Sequence, residues 1–264
     1  MEEALKIIGI VLLAILIVFV GLVLLYVLFL VGASLLVNPK KEYVTKSKFY
    51  ENLLSLSTYL ATKLCGIKVI VTGKEKIPEG RFLFVANHRS NFDPIITRYI
   101  FHKQDVAFIS KPSNFKIPIA GPLVTRCRFL PIDRENPRNS MKTLVKAIDF
   151  IKQDQGSIGV YPEGTRSKNG KLLPYHDGVF KIAQKANVPV LVAVVTGTEQ
   201  IKKRAPFRPT VVHFDILGTI PMEEGQNSHD IAEKARAMTL EHIYEKEGGR
   251  YELKEESASN VKEE

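Results

Sequence analysis

From Ile7 to Val37 the chain runs through 31 consecutive residues without a charge, IIGIVLLAILIVFVGLVLLYVLFLVGASLLV. About 20 apolar residues suffice to carry a helix across the ~30 Å hydrocarbon core of a bilayer. At 1.5 Å per residue this run would rise about 46 Å, so it must tilt, protrude or break. Gly21 and Gly32-Ala33-Ser34 are the places where a break is expected. The apolar part of a cleaved signal peptide is only ~7–15 residues, so the run reads as a retained membrane segment. Glu2, Glu3 and Lys6 precede it, and Lys40, Lys41, Lys46 and Lys48 follow. The lysine-rich flank belongs on the cytoplasmic side, which places the main body at the cytoplasmic face of a membrane. In the next segment, KFYENLLSLSTYLATKL, Leu53, Leu56, Tyr59, Leu60 and Leu64 recur at helical spacing. Such a helix either lies in the interfacial plane, with Lys48 and Lys63 at its edges, or packs on the body.

The composition of the whole chain is that of a folded globular protein. Hydrophobic residues make up 45% and charged residues 25%, which excludes a disordered, collagen-like or disulfide-scaffold protein. Cys65 and Cys127 have no metal-ligand spacing and imply no bridge. They read as thiols in a reducing compartment. The net charge of +9 is uneven: zero over 1–43, +12 over 44–244 and −3 over 245–264. A basic body selects anionic partners, whether lipid headgroups, phosphorylated substrates, an acidic carrier protein or nucleic acid. No nucleic-acid-binding motif is visible and the membrane segment argues against that class, so no nucleic acid is expected.

Short apolar runs alternate with helical segments through the body. Strands are predicted at 67–72, 82–86, 105–109, 127–132, 158–161, 188–195 and 210–216. Helices are predicted at 94–101, around 116–123, and at 138–153, 178–186 and 228–246. In helix 138–153, Met141, Leu144, Val145, Ile148 and Ile151 form one stripe. This alternation indicates an α/β layered fold around a largely parallel sheet flanked by helices, behind an N-terminal hydrophobic membrane helix. The expected division is 1–66 for the membrane segment and amphipathic helix, 67–247 for the functional domain, and 248–264 for a polar tail expected to be disordered.

Two loops carry chemistry. Strand 82–86 runs into Asn87-His88-Arg89-Ser90-Asn91-Phe92-Asp93-Pro94. A turn directly after a buried strand lies at the C-terminal edge of the sheet, where α/β folds bind ligands. His88 is the side chain suited to taking a proton near neutral pH, and a turn can bring Asp93 back to orient its ring. There is no Ser or Cys in a nucleophile elbow, so this pair would activate a hydroxyl of the substrate itself. Asp93 before Pro94 also fits a helix N-cap with Pro at N1, and the two roles are compatible.

Strand 158–161 runs into Pro162-Glu163-Gly164-Thr165-Arg166-Ser167. Gly164 permits a tight turn and close backbone approach. Arg166 offers a planar fork suited to phosphate, and Thr165 adds a hydroxyl. Glu163 repels phosphate, and its expected part is to hold Arg166 or a substrate hydroxyl. Lys111 and Arg134 each follow a predicted strand, so they should reach the same edge. Cations beside a His–Asp pair point to a phosphorylated substrate.

Together these blocks resemble the glycerolipid acyltransferase family, in particular its lysophosphatidate acyltransferase branch. The family pattern N-H-x-x-x-x-D is met by Asn87, His88 and Asp93. K-x-E-L-x-x-x-P-x-x-G followed by I-D-R is met at Lys111, Pro118, Gly121, Ile132, Asp133 and Arg134. [FY]-P-E-G-T-R-S is met throughout Tyr161–Ser167, and V-P-[IV] by Val188-Pro189-Val190. Ser113-Asn114 replace the E-L of the second pattern, and Arg128 stands where Gly often precedes I-D-R. His176-Asp177 precede Gly178 where Lys is frequent. The resemblance implies acyl transfer from an acyl-CoA or acyl carrier protein thioester to the sn-2 hydroxyl of lysophosphatidic acid, giving phosphatidic acid. In that scheme His88 is the base and Asp93 orients it. Arg166, Lys111 and Arg134 hold the acceptor phosphate, Glu163 and Gly164 shape the pocket, and no metal or redox cofactor takes part. The same residues also suit another acceptor, such as a lysophospholipid, a lyso-aminolipid or glycerol-3-phosphate. A membrane-anchored protein that binds lipid or carrier without catalysis is the reading from a different class.

Overall fold

The computed structural model describes residues 1–167 and 170–247; the polar tail from Gly248, expected to be disordered, lies outside the described residues. In chain order the elements are α1 (Glu2–Leu35), α2 (Lys48–Leu64), β1 (Ile67–Thr72), β2 (Leu83–Ala86), α3 (Asp93–Ile100), β3 (Val106–Ser110), α4 (Ala120–Arg126) and β4 (Leu130–Pro131). They continue with α5 (Pro137–Lys152), β5 (Ser157–Val160), α6 (Lys181–Ala186), β6 (Val190–Thr196), α7 (Ile201–Arg204), β7 (Thr210–Ile220) and α8 (Ser228–Glu247). Among the described residues the strands form one seven-stranded sheet in the order β1-β7-β6-β2-β5-β3-β4. The five strands from β6 to β4 are mutually parallel. β7 runs antiparallel to β6, and β1 runs parallel to β7. Five strands therefore end at one edge of the sheet, and β7 and β1 begin there.

The central strands β2 (LFVA) and β6 (VLVAVVT) are almost wholly apolar and buried because both faces of the sheet are covered. Alternate residues point to opposite faces. Leu83 and Val85 of β2 join Leu144, Ile151, Ile182 and Ile231 from α5, α6 and α8. Phe84 and Ala86 join Ile96, Phe101, Phe108 and Phe214 on the other face. Each such fully buried side chain stabilises the fold by about 1.5–3 kcal/mol.

Four elements differ from the sequence expectation. In α5 the buried stripe is Thr143, Leu144, Ala147, Phe150 and Ile151, whereas Met141 and Val145 stay 50% and 48% exposed. The Thr143 hydroxyl donates to the Pro131 carbonyl at 2.7 Å and fixes the rotation of the helix. The strand expected at 127–132 shrinks to Leu130–Pro131, because Cys127 closes α4 and Arg128 turns with φ +64°. That left-handed backbone costs a non-glycine residue about 1–3 kcal/mol, which accounts for the glycine often found at this step. The helix expected near 116–123 falls later, at Ala120–Arg126, behind a 3-10 turn at Pro112–Lys116. Helix α1 runs unbroken through Gly21 and Gly32.

Helix α1 is 34 residues long, about 51 Å. Only its last third docks on the body. The Tyr26 hydroxyl pairs with the Ser57 hydroxyl at 2.9 Å, and the Tyr50 hydroxyl donates to the Ala33 carbonyl at 2.9 Å. Ala33, Leu53 and Leu123 pack beneath these bonds. The two bonds fix an antiparallel α1–α2 hairpin. Residues 1–20 are exposed throughout and extend beyond this docked part. They carry exposed side chains such as Ile10 and Leu16, and α1 has the length and apolar composition to cross a membrane.

Helix α2 packs on the body with one face and leaves another exposed. Leu53, Leu54, Thr58 and Thr62 are buried, whereas Leu56, Tyr59 and Leu64 stay exposed. A buried ion pair ties it to α3, with Arg98 Nη2 2.7 Å from Glu51. Burial pushes the Glu51 carboxyl up, and Arg98 opposes that shift.

Candidate functional site

The loops after β2, β5, β3 and β4 all leave the same sheet edge, and they enclose a cleft of about 660 Å³. His88, Lys111, Arg134, Gly164, Thr165 and Arg166 line it. Asp93 and Glu163 do not; they lie behind the wall, 0% and 3% exposed.

Asp93 organises the first loop. Its Oδ2 lies 2.7 Å from His88 Nδ1 and accepts the backbone N–H groups of Arg89 and Ser90, each at 2.7 Å. Its Oδ1 accepts the Thr198 hydroxyl. Four donors thus converge on one carboxylate, which acts as acceptor only. His88 must carry its proton on Nδ1, which leaves Nε2 as the basic nitrogen. Asp93 is the first residue of α3, yet its side chain turns back to the loop rather than to the helix amides. The N-cap role expected for it gives way to the role of holding the imidazole.

The imidazole is also fixed from below. It stacks on the Tyr161 ring at 4.5 Å between centroids, and the Tyr161 hydroxyl bonds Thr97 at 2.9 Å. Burial pushes the Tyr161 phenol well above its ordinary range, so it stays protonated. Asn87 brackets β6, donating to the Val195 carbonyl at 2.9 Å and accepting the Val195 N–H at 2.7 Å.

Glu163 does not reach the substrate side as expected. Its Oε1 accepts the His88 backbone N–H at 2.5 Å and its Oε2 accepts the Leu173 N–H at 3.0 Å. It joins the two loops from beneath. Burial pushes its carboxyl up, and the two backbone donors pull it back. The Ser167 N–H returns to the His88 carbonyl at 2.9 Å, so the loops are joined in both directions. Gly164 adopts φ +70°, and a Cβ there would lie 2.8 Å from His176 Cδ2. The left-handed backbone favours glycine at that point, and a Cβ would also displace the His176 ring.

Lys111, Thr165, Arg166 and Arg134 present exposed side chains to the cleft. Arg126 and Arg128, close in sequence, serve the scaffold instead. Arg126 lies 4.7 Å from the Tyr43 ring and donates to the Thr45 carbonyl. Arg128 is buried against Asp105 and the Gln155 carbonyl. Cys127 is buried beside them as a free thiol, and burial pushes it far up. Asn87 and Tyr161, which the sequence marks only as motif positions without a role, hold the site, and so does Thr198, which lies in none of the motifs. The one signal for Thr198 is a hydroxyl two residues past the end of a strand at the active edge.

Residues 68–196 match the family model described as Acyltransferase. A chloroplastic 1-acyl-sn-glycerol-3-phosphate acyltransferase of Brassica napus is 35% identical over 136 residues, covering 51% of this chain and 39% of its own length. The 1-acyl-sn-glycerol-3-phosphate acyltransferase of Salmonella typhimurium is 29% identical over 168 residues, covering 63% of this chain and 68% of its own. The chain spans about half the length of several curated relatives it matches. In structure it shares the fold of the 1-acyl-sn-glycerophosphate acyltransferase PlsC from Thermotoga maritima. The TM-score is 0.66 at 24% identity, covering 84% of this chain and 89% of that one.

Proposed function

The chain belongs to the acyltransferase family, and from that premise we propose that it moves a fatty acyl group from a thioester to the sn-2 hydroxyl of 1-acyl-glycerol-3-phosphate. The observation that carries the proposal is the His88–Asp93 pair, with His88 on the cleft and Asp93 behind it, beside a group of cations. Nε2 takes the proton of the acceptor hydroxyl as its oxygen attacks the thioester carbonyl carbon. Asp93 stabilises the imidazolium that forms. The carbon–sulfur bond then breaks, and the imidazolium returns its proton to the departing thiolate. The products are an ester and a free thiol, phosphatidic acid and the carrier. Arg166, with Lys111 and Arg134, holds the acceptor phosphate through charge-assisted bonds. The carrier is coenzyme A or acyl carrier protein, both anionic and both suited to a basic body.

A lipid acceptor must come from a bilayer, and the projecting part of α1 supplies the anchor. The lysines after it put the functional domain on the cytoplasmic face. The test is an acceptor panel: purified protein with lysophosphatidate, lysophosphatidylcholine, a lyso-aminolipid and glycerol-3-phosphate, each with acyl-CoA and with acyl carrier protein thioester. Mass spectrometry identifies the product. Phosphatidic acid from lysophosphatidate supports the reading, and acylation of a different acceptor in preference overturns it. Arg166→Ala should raise the KM for the phosphorylated acceptor by about 10- to 150-fold, the loss of a charged hydrogen bond worth ~1.5–3 kcal/mol. A rise confined to the donor's KM removes Arg166 from the phosphate site.

A further inference from the structure

The segment Lys202-Lys203-Arg204-Ala205-Pro206-Phe207-Arg208 takes no part in the cleft, yet it leaves the same sheet edge. It lies between the end of β6 and the start of β7, and its root is Thr198, bonded to Asp93. Phe207 is 93% exposed, the most exposed large apolar side chain among the described residues apart from the N-terminal Met1. Lys202, Lys203, Arg204 and Arg208 surround it in sequence and are all exposed. Glu199 is the one acid of this connection. An isolated apolar side chain at full exposure, with four exposed cations within five residues of it in sequence, suits neither a core nor a plain solvated loop.

Its position says what it meets. The Thr210 N–H donates to the Gly66 carbonyl at 3.1 Å, and Pro209 lies against Gly66. The segment therefore abuts the turn that ends α2. Helix α2 also carries the contact to α1, whose Tyr26 hydroxyl pairs with Ser57 and whose residues up to 20 are exposed throughout. The exposed apolar residues of α2, Leu56, Tyr59 and Leu64, lie on the same helix together with Lys63. β7 and β2 are two strand spacings apart, so the segment stands about 10 Å across the edge from the His88 loop.

We propose that residues 202–208 are a second membrane contact, in which Phe207 enters the interface and the four cations bind anionic lipid headgroups. The contact fixes the active edge against the bilayer at a point separate from α1. Aromatic rings favour the interface, and each lysine or arginine near an anionic surface strengthens binding about fivefold. An acidic carrier protein would match the charge. It gives no reason for an apolar ring held outward next to the turn that ends α2, whose Leu56, Tyr59 and Leu64 are exposed.

The inference rests on the membrane reading of α1, and the test separates the two. The sequence contains no tryptophan, so Phe207→Trp makes a single reporter at a position with no packing to lose. Full-length protein is reconstituted in phosphatidylcholine vesicles with and without phosphatidylglycerol, and quenching by brominated lipid is read. The expected result is blue-shifted emission, quenched most strongly with phosphatidylglycerol present. Neutralising Lys202, Lys203 and Arg208 to Ala in that background should weaken partition about fivefold per charge and bring the quenching to the neutral-vesicle level. Arg204 is left in place because it donates to the Pro209 carbonyl. Leu16→Trp in a second protein reports on α1. If Leu16→Trp is quenched while Phe207→Trp keeps water-exposed emission, the second contact is refuted and the anchor stands. If neither is quenched, the membrane reading falls and the proposal falls with it. If Phe207→Trp responds only to added acyl carrier protein, the surface is a carrier dock and the proposal is overturned.

Discussion

Asp93→Asn separates orientation of the imidazole from support of the loop. The amide oxygen can still accept the Arg89 and Ser90 N–H groups, which lie at 2.7 Å. Its NH2 can donate to the Thr198 hydroxyl, which then turns from donor to acceptor. The loop keeps its bonds, and what disappears is the negative charge facing His88 Nδ1. A charged hydrogen bond is worth ~1.5–3 kcal/mol, so kcat should fall about 10- to 150-fold. The KM for both substrates should stay near the parent value, because Asp93 does not line the cleft. Asp93→Ala is a different perturbation. It strands up to four donors, each costing ~1–3 kcal/mol when buried, or about 4–12 kcal/mol together. That approaches the ~5–15 kcal/mol stability of a whole domain, so this variant should unfold early. The assay is steady-state transfer with a thermal melt of each variant. An Asn variant with parental kcat refutes the orienting role. One whose kcat loss matches its fall in melting temperature reduces Asp93 to a structural part.

Thr198→Val removes the hydroxyl on Asp93 Oδ1 and should lower kcat about 2- to 10-fold, the worth of one ordinary hydrogen bond, with KM unchanged and activity restored by Thr198→Ser. Steady-state kinetics on the three proteins checks it. Asp215 gives an acid-stability prediction. Burial alone would push its carboxyl up, but the Thr72 hydroxyl, His242 and Lys246 together hold it below its ordinary 3.8. Its stabilising contribution is therefore present above pH 3.8 and is lost as pH falls from there through the depressed value. Asp215→Asn should show a flatter loss of stability over that acid range in denaturant melts taken as a function of pH.

The sheet edge was legible because each chemical loop begins where an apolar strand stops. His88 follows FLFVA, Lys111 follows VAFIS, and the Glu163 loop follows SIGV. Parallel strands then bring those loops together whatever their separation in sequence. The internal wiring was not legible. Thr198 and Asp93 are 105 residues apart, and nothing local marks their contact. The family match itself ends at residue 196, just short of Thr198. Glu163 looked like a substrate contact because a carboxylate in a loop is ordinarily exposed. Its burial under two backbone N–H groups depends on the neighbouring strand. The α5 stripe was misplaced by one arc of the helix, since Met141 and Val145 are apolar enough to join any stripe. Only the bond from Thr143 to Pro131 fixes the rotation.

The most direct measurement is phosphatidic acid formation by the full chain in vesicles, from lysophosphatidate and an acyl thioester, comparing the parent with His88→Ala by mass spectrometry. A base at His88 predicts a fall in kcat of at least about 10²-fold, with the melting temperature and acceptor binding retained. Turnover at the parental rate in the folded variant would contradict it.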